Sequence, residues 1–183
     1  MVYFFLNLVK KIRYKLNTFF WKSLGLNIEK KSIVFPGFES DNPKNVAIGM
    51  NTMIYKNVTM YSSAGSISIG KESHVAPYCY FLFDEGKIEI GDFVAVGAFT
   101  TFIGFSNYYD SSGRGKKFVE LNKSGEIKIG SNVFIGTHSV ILADTIIEND
   151  VIVAAGSVVS GNLESGWIYG GVPVKKIKRV WNE

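Results

Sequence analysis

Aliphatic residues recur every six positions through the C-terminal half of the chain, at Ile129, Ile135, Ile141, Ile147, Val153 and Val159. A small or β-branched residue stands two places before most of them, at Ile127, Val133, Ser139, Thr145 and Val151. This spacing is neither the period of two of an ordinary strand nor the 3.6-residue period of a helix. It predicts a short strand and a tight corner that repeat, so that three units close one triangular coil. The next coil then begins 18 residues on, which is the separation of Ile129 and Ile147.

One phrase marks the start of four successive coils: Asn45-Val-Ala-Ile-Gly, Ser66-Ile-Ser-Ile-Gly, Lys87-Ile-Glu-Ile-Gly and Glu126-Ile-Lys-Ile-Gly. We expect the isoleucines of this phrase to stack on one another: Ile48, Ile69, Ile90 and Ile129. The first two intervals are 21 residues, and we expect the surplus of about three at 62–66 and 84–86. Because each unit of a solenoid buries its apolar row only by stacking on its neighbours, the pattern predicts an all-β solenoid over 27–165.

The third interval is 39 residues, which leaves room for an inserted loop at about 104–125. The body of this loop, from Gly104 to Lys117, is rich in glycine, serine and aromatic residues and lacks the six-residue period. A long excursion from a regular array is more often functional than ornamental. We therefore expect the loop to border the functional site.

Residues 1–26 carry the pattern of a basic amphipathic helix. At 100° per residue, the apolar side collects Phe5, Val9, Ile12, Leu16, Phe19 and Phe20, with Lys10, Lys11 and Lys15 opposite or on the flanks. Solenoid ends need a cap, so the apolar side is expected to cover the open end or to pack on a sister subunit. The alternative is contact with an anionic membrane, and the sequence leaves both open.

The net charge of +4 is concentrated at the two ends of the chain. The C-terminal tail, 166–183, carries Lys175, Lys176, Lys178 and Arg179. Clustered cations favour anionic partners such as phosphates or a membrane surface, but two separate clusters do not predict a nucleic-acid partner. The one cysteine, Cys79, excludes an intrachain disulfide and fits a reducing compartment. We expect a cytoplasmic protein, and the basic helix leaves open a position at the inner face of the cytoplasmic membrane.

The repeat and the closing phrase Gly170-Gly-Val-Pro-Val-Lys resemble the hexapeptide-repeat acyltransferases, especially the branch that O-acetylates sugars and polysaccharides. The usual closing phrase of that family is Gly-Gly-Val/Asn-Pro-Ala-Lys, and this chain departs from it at Val174. Asn42-Pro-Lys-Asn before the first coil also matches a common start in the family. The resemblance covers about Ile33 to Arg179 and implies a left-handed parallel β-helix. It further implies a homotrimer that uses acetyl-CoA as acyl donor and no metal.

The resemblance places acetyl-CoA in the groove between two solenoids and the acceptor beneath the long loop. By the matching phrases, the pantetheine groove would be lined by Thr137, Ala155 and Ser160, and Lys175 would meet the CoA phosphates. Small residues let a slender arm lie against the backbone, and lysine binds a phosphate as a point charge. Asp84 and Glu85 are on the turn where related enzymes hold the acceptor through a carboxylate, so they are candidate substrate-binding residues.

The usual general base of the family is a histidine on the long loop, and this chain has none there. Histidine suits the task because imidazole exchanges a proton near neutral pH. One way of matching the loop puts the usual base at Phe105 and another puts it at Asn107, and neither side chain is a base. The remaining candidates are Asp110 on the loop and His138, which should face outward and stack one coil from Phe99.

Three interpretations follow from the missing histidine. The acceptor is an amine, which needs less help than a hydroxyl; the base has moved to His138 or Asp110; or the protein binds without catalysing. The resemblance implies acetylation of a hydroxyl of a sugar, or of a lipid-linked or polysaccharide acceptor, in surface-glycan synthesis. The alternatives are N-acetylation of an amino sugar and an inactive CoA-binding trimeric scaffold. The γ-type carbonic anhydrases share the fold but need three histidines per zinc, whereas this chain has only His74 and His138.

Overall fold

Each six-residue unit forms one short strand and then turns a corner, and three such units close a coil. The computed structural model describes residues 2–107, 115 and 117–181. These residues form a left-handed parallel β-helix of six triangular coils and an incomplete seventh, preceded by one α-helix. The predicted solenoid is therefore confirmed.

Three parallel sheets form the faces of the solenoid. Sheet 1 contains β1 (Asn27–Ile28), β4 (Val46–Ile48), β7 (Ser66–Ile69), β10 (Lys87–Ile90), β15 (Ile127–Ile129), β18 (Thr145–Ile147) and β21 (Asn162–Leu163). Sheet 2 contains β2 (Ile33–Val34), β5 (Met53–Ile54), β8 (His74–Val75), β11 (Ala95–Val96), β16 (Phe134–Ile135), β19 (Ile152–Val153), β22 (Trp167–Gly170) and β23 (Lys175–Arg179). Sheet 3 contains β3 (Glu39–Ser40), β6 (Thr59–Ser62), β9 (Tyr80–Phe83), β12 (Thr101–Ile103), β17 (Val140–Leu142) and β20 (Val158–Val159).

The four isoleucines of the repeated phrase stack in sheet 1, as predicted. Ile48 is opposite Ile69, Ile69 is opposite Ile90, and Ile90 is opposite Ile129 across the 39-residue interval. The surplus of the 21-residue intervals lies in the longer corners at 63–65 and 84–86, between β6 and β7 and between β9 and β10.

The interior of the solenoid is filled by the inward-facing residue of every strand and by the residue two places before it. Ile135 and Ile141 are both fully buried, and the small polar Ser139 between them is buried as well. In the middle coils the interior holds phenylalanines, and the buried rings of Phe81 and Phe102 stack with centroids 4.3 Å apart. Burial of each large aliphatic side chain stabilises the fold by about 1.5–3 kcal/mol, so the rows of stacked residues hold the coils together.

Two of the three corners have a residue in the left-handed backbone conformation in every complete coil. The corner between sheets 2 and 3, here called the His138 corner, has positive φ at Gly37, Asn57, Tyr78, Phe99, His138 and Gly156. Glycine and asparagine adopt this conformation readily, whereas aromatic residues do so at some cost. The corner between sheets 3 and 1 is called the Asp84 corner below, and the third corner is named after Glu72.

The inserted loop leaves the Asp84 corner after β12 and returns before β15. Its base is an antiparallel hairpin of β13 (Phe105–Asn107) and β14 (Asn122–Ser124), and a 3-10 turn spans Phe118–Glu120. A second 3-10 turn, Pro43–Asn45, precedes β4. Asp110, the loop carboxylate proposed as a base, lies outside the described residues.

The N-terminal helix α1 spans Val2–Ser23 and packs on the open end of the solenoid. The side chains that make this contact are Tyr14, Asn17, Thr18 and Trp21. The apolar side predicted from the helical pattern is exposed from Phe5 to Phe20, so the expectation that this side covers the open end is wrong. The reason is that the open edge of β2 presents backbone hydrogen-bonding groups, which Asn17 and Thr18 satisfy and an apolar side cannot.

The chain leaves the solenoid through strand β23, which runs antiparallel to β22. The sequence left open whether Lys175 to Trp181 forms a helix or a strand, and the structure shows a strand from Lys175 to Arg179. The indole of Trp167 lies against the Lys176 ammonium at 4.5 Å and the Arg179 guanidinium at 4.2 Å. These cation–π contacts fix the basic strand beside β22 of the incomplete seventh coil.

Candidate active site

Three aromatic rings form a continuous stack along the His138 corner. The rings of Tyr78 and Phe99 are parallel with centroids 5.1 Å apart, and those of Phe99 and His138 are parallel at 4.8 Å. About half of the Tyr78 and Phe99 surface is exposed, and His138 is exposed as well. The stack therefore presents its edge to solvent and ends just below Gly156 of the next coil. The sequence predicted the pair of Phe99 and His138 but missed Tyr78, which the 21-residue spacing would have found.

Two of the predicted groove residues, Thr137 and Ala155, are neighbours on the same corner. Both are exposed, and the Thr137 carbonyl accepts a hydrogen bond of 2.9 Å from the Gly156 N–H. Gly136 packs so closely on the next coil that a Cβ there would clash with the backbone of Ala155. The small residues let the two coils approach, and Thr137 and Ala155 form a strip of small exposed residues beside His138.

Ser160 does not lie at the His138 corner. It follows β20, at the other end of sheet 3 from Ala155, and its side chain is exposed. Five residues of extended chain span at most about 17 Å, so the two positions can border one elongated ligand but not one compact group. Lys175 begins β23 opposite Gly170, one residue after the half-buried Val174, whose N–H donates to Val158 O at 3.0 Å.

Asn107, one candidate position for the family's usual base, is used to hold the loop. Its side-chain amide donates to Phe118 O at 2.9 Å and to Leu121 O at 3.3 Å. Leu121 itself is buried. The Asn107 side chain is therefore directed at its own loop backbone, and it carries no group that could accept a proton from an acceptor.

The predicted acceptor carboxylates lie on the corner directly below the loop. Asp84 is half-buried and Glu85 is exposed, and the Asp84 carbonyl accepts hydrogen bonds from Ala64 N at 3.0 Å and Gly65 N at 2.6 Å. The base of the loop begins one coil above, where Gly104 N donates to Leu82 O at 2.9 Å. Both carboxylates consequently stand at the foot of the loop, on the solvent side.

An ion pair ties the loop to the coil above it. The Lys123 ammonium on β14 lies 2.6 Å from an Asp144 carboxylate oxygen, between β17 and β18. This hydrogen bond lowers the pKa of Asp144 and raises the pKa of Lys123. The loop is thus held by Asn107 from within and by Lys123 from its edge, and the sequence pattern indicated neither contact.

The predicted residues form two groups within one chain. Thr137, Ala155 and His138 belong to the fifth and sixth coils at one corner, whereas Asp84 and Glu85 belong to the third coil at another. Two coils correspond to about 10 Å along the solenoid axis, and the width of sheet 3 adds to this separation. One chain alone does not bring the two groups together.

His74 lies on β8, opposite Ala95, with Phe134 one strand further on. Its ring contacts the Tyr55 ring edge-on, with centroids 6.3 Å apart. Each of the two histidines therefore packs against an aromatic ring. Among the described residues, no group of three His, Cys, Asp or Glu side chains could hold a metal ion.

Comparison with known proteins identifies the class to which this fold and site belong. The family described as bacterial transferase hexapeptide (six repeats) matches residues 126–161. The chain is 31% identical to a solved structure of a mutant of AntD, an N-acyltransferase from Bacillus cereus, in complex with dTDP and coenzyme A. That likeness has a TM-score of 0.74 and covers 86% of each chain. The protein belongs to the hexapeptide-repeat acyltransferase family.

Two relatives from Escherichia coli extend this comparison. A dTDP-4-amino-4,6-dideoxy-D-glucose acyltransferase is 27% identical over 162 residues, which cover 86% of this chain and 81% of that protein. WbbJ of strain K12, a putative lipopolysaccharide biosynthesis O-acetyl transferase, is 39% identical over 61 residues. The WbbJ match covers only 33% of this chain and 31% of WbbJ.

Proposed function

We propose that this protein transfers an acyl group, acetyl in the simplest case, from coenzyme A to the amine of a nucleotide-linked amino sugar. The observation that carries the proposal is the absence of a histidine from the inserted loop. A hydroxyl acceptor needs a positioned base, and the loop sequence contains no histidine. The alternative base position holds Asn107, whose amide is engaged with the loop backbone.

An amine acceptor makes such a base dispensable. The neutral nitrogen attacks the thioester carbonyl carbon, and a tetrahedral intermediate forms. The C–S bond then breaks as the amide forms, and the nitrogen gives up one proton, which ends on the sulfur of the departing CoA. The protein has only to bind both partners in line and to exclude other nucleophiles, which is the contribution of proximity and orientation.

Relatives that match most of the chain support the amine. AntD is an N-acyltransferase and was solved with dTDP and coenzyme A, and the Escherichia coli relative acts on a 4-amino sugar linked to dTDP. The O-acetyl alternative is favoured by WbbJ, whose match is limited to 61 residues. The name of WbbJ also supports a role for the product in surface-glycan synthesis.

The donor is assigned to the strip beside the His138 corner. Thr137 and Ala155 would border the pantetheine arm, Ser160 its far end, and Lys175 the CoA phosphates. His138, stacked on Phe99, forms the wall of this groove, and its imidazole is not required as a base. A slender amide-containing arm fits such a strip because small side chains expose the backbone N–H and C=O groups of the coils.

The acceptor is assigned to Asp84 and Glu85 at the foot of the loop. Their carboxylates suit the hydroxyls and the amine of a sugar, because each oxygen accepts charge-assisted hydrogen bonds. The donor strip and these carboxylates lie at different corners of one chain. A homotrimer, in which a groove between two solenoids combines one corner of each copy, would join them.

The test is a CoA-release assay with two matched acceptors, dTDP-4-amino-4,6-dideoxyglucose and the same nucleotide sugar with a hydroxyl in place of the amine. We expect kcat/KM for the amine to exceed that for the hydroxyl by at least about 100-fold, because the loop has no histidine to activate the hydroxyl. Faster transfer to the hydroxyl would overturn the proposal in favour of O-acetylation. CoA binding without turnover on either acceptor or on a panel of other amino sugars would instead identify an inactive scaffold.

A further inference from the structure

Helix α1 uses only one side to pack on the solenoid. The Asn17 amide donates to Val34 O at 2.9 Å, and the Val34 N–H donates to the Thr18 hydroxyl at 3.0 Å. Trp21 packs edge-on against Phe38 with ring centroids 4.8 Å apart. These residues bind backbone groups at the open edge of β2 and cover the end of the core. Their contacts fix the rotation of the helix about its axis, and so determine which side faces away from the solenoid.

The opposite side of α1 is apolar and has no partner among the described residues. On a helical projection at 100° per residue, its centre lies nearly opposite the side that contacts β2. Its larger side chains are all between 45% and 71% exposed: Phe5, Leu8, Val9, Ile12, Leu16, Phe19 and Phe20. A contiguous apolar surface formed by this many large side chains marks an interaction site.

The charge on α1 defines the chemistry of the partner. The helix carries Lys10, Lys11, Arg13, Lys15 and Lys22 and no acidic residue between 2 and 23. Arg13 and Lys15 fall at the two edges of the apolar side. Arg13 also lines a surface pocket with Lys56, at the junction of the helix and the first coils. Apolar residues bordered by cations are complementary to an anionic lipid surface, with acyl chains below and phosphate headgroups around them.

We propose that the apolar side of α1 docks this protein on an anionic lipid bilayer, with the helix lying in the plane of the interface. Among the described residues, no helix combines the length and the apolarity needed to cross a bilayer. A second copy of the chain is the less favourable occupant. Two such helices, each with five cations and no acid, would repel one another when placed side to side. In a trimer of parallel solenoids, the three helices would lie at one end of the assembly and bind the surface together.

The experiment is vesicle flotation of the full chain with phosphatidylcholine alone and with phosphatidylcholine containing 30% phosphatidylglycerol (about this fraction keeps the surface strongly anionic). We expect flotation with the anionic vesicles and little with the neutral ones. The double variant Leu16→Ser and Phe19→Ser should weaken binding by about 100-fold, because two exposed apolar anchors are lost. Lys15→Glu should weaken it by at least about tenfold and more strongly at low salt.

Matched variants on the solenoid test whether any loss of vesicle binding is specific to the helix. Met50→Ser with Ile146→Ser removes two exposed apolar residues from the solenoid instead of the helix, and Lys128→Glu reverses a charge on sheet 1. Both should float like the unaltered protein, and circular dichroism should show that all variants are folded. Equal binding to both vesicles, or loss of flotation in the solenoid variants, would overturn the proposal. The proposal would also be overturned if the unaltered protein did not float and the helix variant had a lower oligomeric mass. That result would identify the apolar side of α1 as an interface between copies of the chain.

Discussion

The rings of Phe99 and His138 lie parallel, with centroids 4.8 Å apart and planes inclined by 2°. They belong to consecutive coils, 39 residues apart in sequence, and both residues have a left-handed backbone. Such a conformation is uncommon for an aromatic side chain, so the stack is a feature that offsets a local cost. It fixes the imidazole against the solenoid at the edge of the proposed donor groove.

The stack should be measurable as a coupling free energy. A double-mutant cycle with Phe99→Ala and His138→Ala is expected to give a coupling of about 0.5–1 kcal/mol in the free energy of unfolding. The matched cycle with Tyr78→Ala and His138→Ala should be nearly additive, because Phe99 separates these two rings. Urea unfolding of the six proteins provides the measurement. Additive effects of Phe99 and His138 would show that the parallel rings do not stabilise one another.

The variant His138→Asn tests whether His138 lines the wall of the donor groove or acts as a general base. Asparagine tolerates the positive φ at this position, so the corner should keep its shape while the imidazole is lost. We expect kcat with an amino-sugar acceptor to fall by less than about tenfold, whereas loss of a general base costs about 10²–10⁴. Steady-state kinetics on the purified variant check this. A fall of about 10³ in kcat with unchanged KM, the size of effect expected when a general base is lost, would reassign His138 as the catalytic base.

Lys175→Ala tests the assignment of the CoA phosphates. We expect KM for acetyl-CoA to rise by about tenfold with little change in kcat, because a charge-assisted contact to the donor is removed. With 3′-dephospho-CoA thioester as donor the same substitution should have a smaller effect, if the ammonium meets the 3′-phosphate. Lys128→Ala, on sheet 1, serves as the control and should change neither constant. An equal rise in KM with both donors would place Lys175 at the pyrophosphate, and no rise with either would place it away from the donor.

The buried thiol of Cys79 should make the protein lose stability as the pH becomes alkaline. Burial raises the pKa of its thiol to about 12, and the thiol donates to Gly97 O at 3.2 Å. Because the folded-state pKa is above the unfolded one, the contribution is complete below about pH 8.5 and is lost as the pH rises towards 12. Between pH 7.5 and 10 the parent protein should lose roughly 1–2 kcal/mol more than Cys79→Ala. Equal losses in urea unfolding would mean that the thiol is not buried as described.

The repeat could be predicted from the sequence because it depends on chain-local spacing. Ile90 and Ile129 were matched across the loop by counting alone, and the same arithmetic paired Phe99 with His138. The packing of α1 could not be predicted in this way. A helical pattern identifies an apolar side, but the open edge of β2 is a polar surface, and Asn17 and Thr18 are what it binds.

The candidate site was less accessible to sequence reasoning than the fold. The sequence shows that neither Phe105 nor Asn107, the two possible positions of the usual base, carries a basic side chain, yet only the structure shows the Asn107 amide bound to Phe118 and Leu121. Similarly, no periodicity indicates that Lys123 reaches Asp144, because one residue belongs to the loop and the other to the next coil. Contacts between an irregular segment and a regular one depend on the path of the loop, which spacing does not encode.

The bond formed in the product tests the central claim most directly. The protein is incubated with acetyl-CoA and an amino-sugar nucleotide that also has free hydroxyls. The product is measured by mass spectrometry before and after alkaline hydroxylamine, which cleaves oxygen esters and leaves amides intact. We predict a single acetyl group that survives the treatment, in a yield that rises with pH until the acceptor amine is neutral. Loss of the acetyl group to hydroxylamine would contradict the account and identify the protein as an O-acetyltransferase.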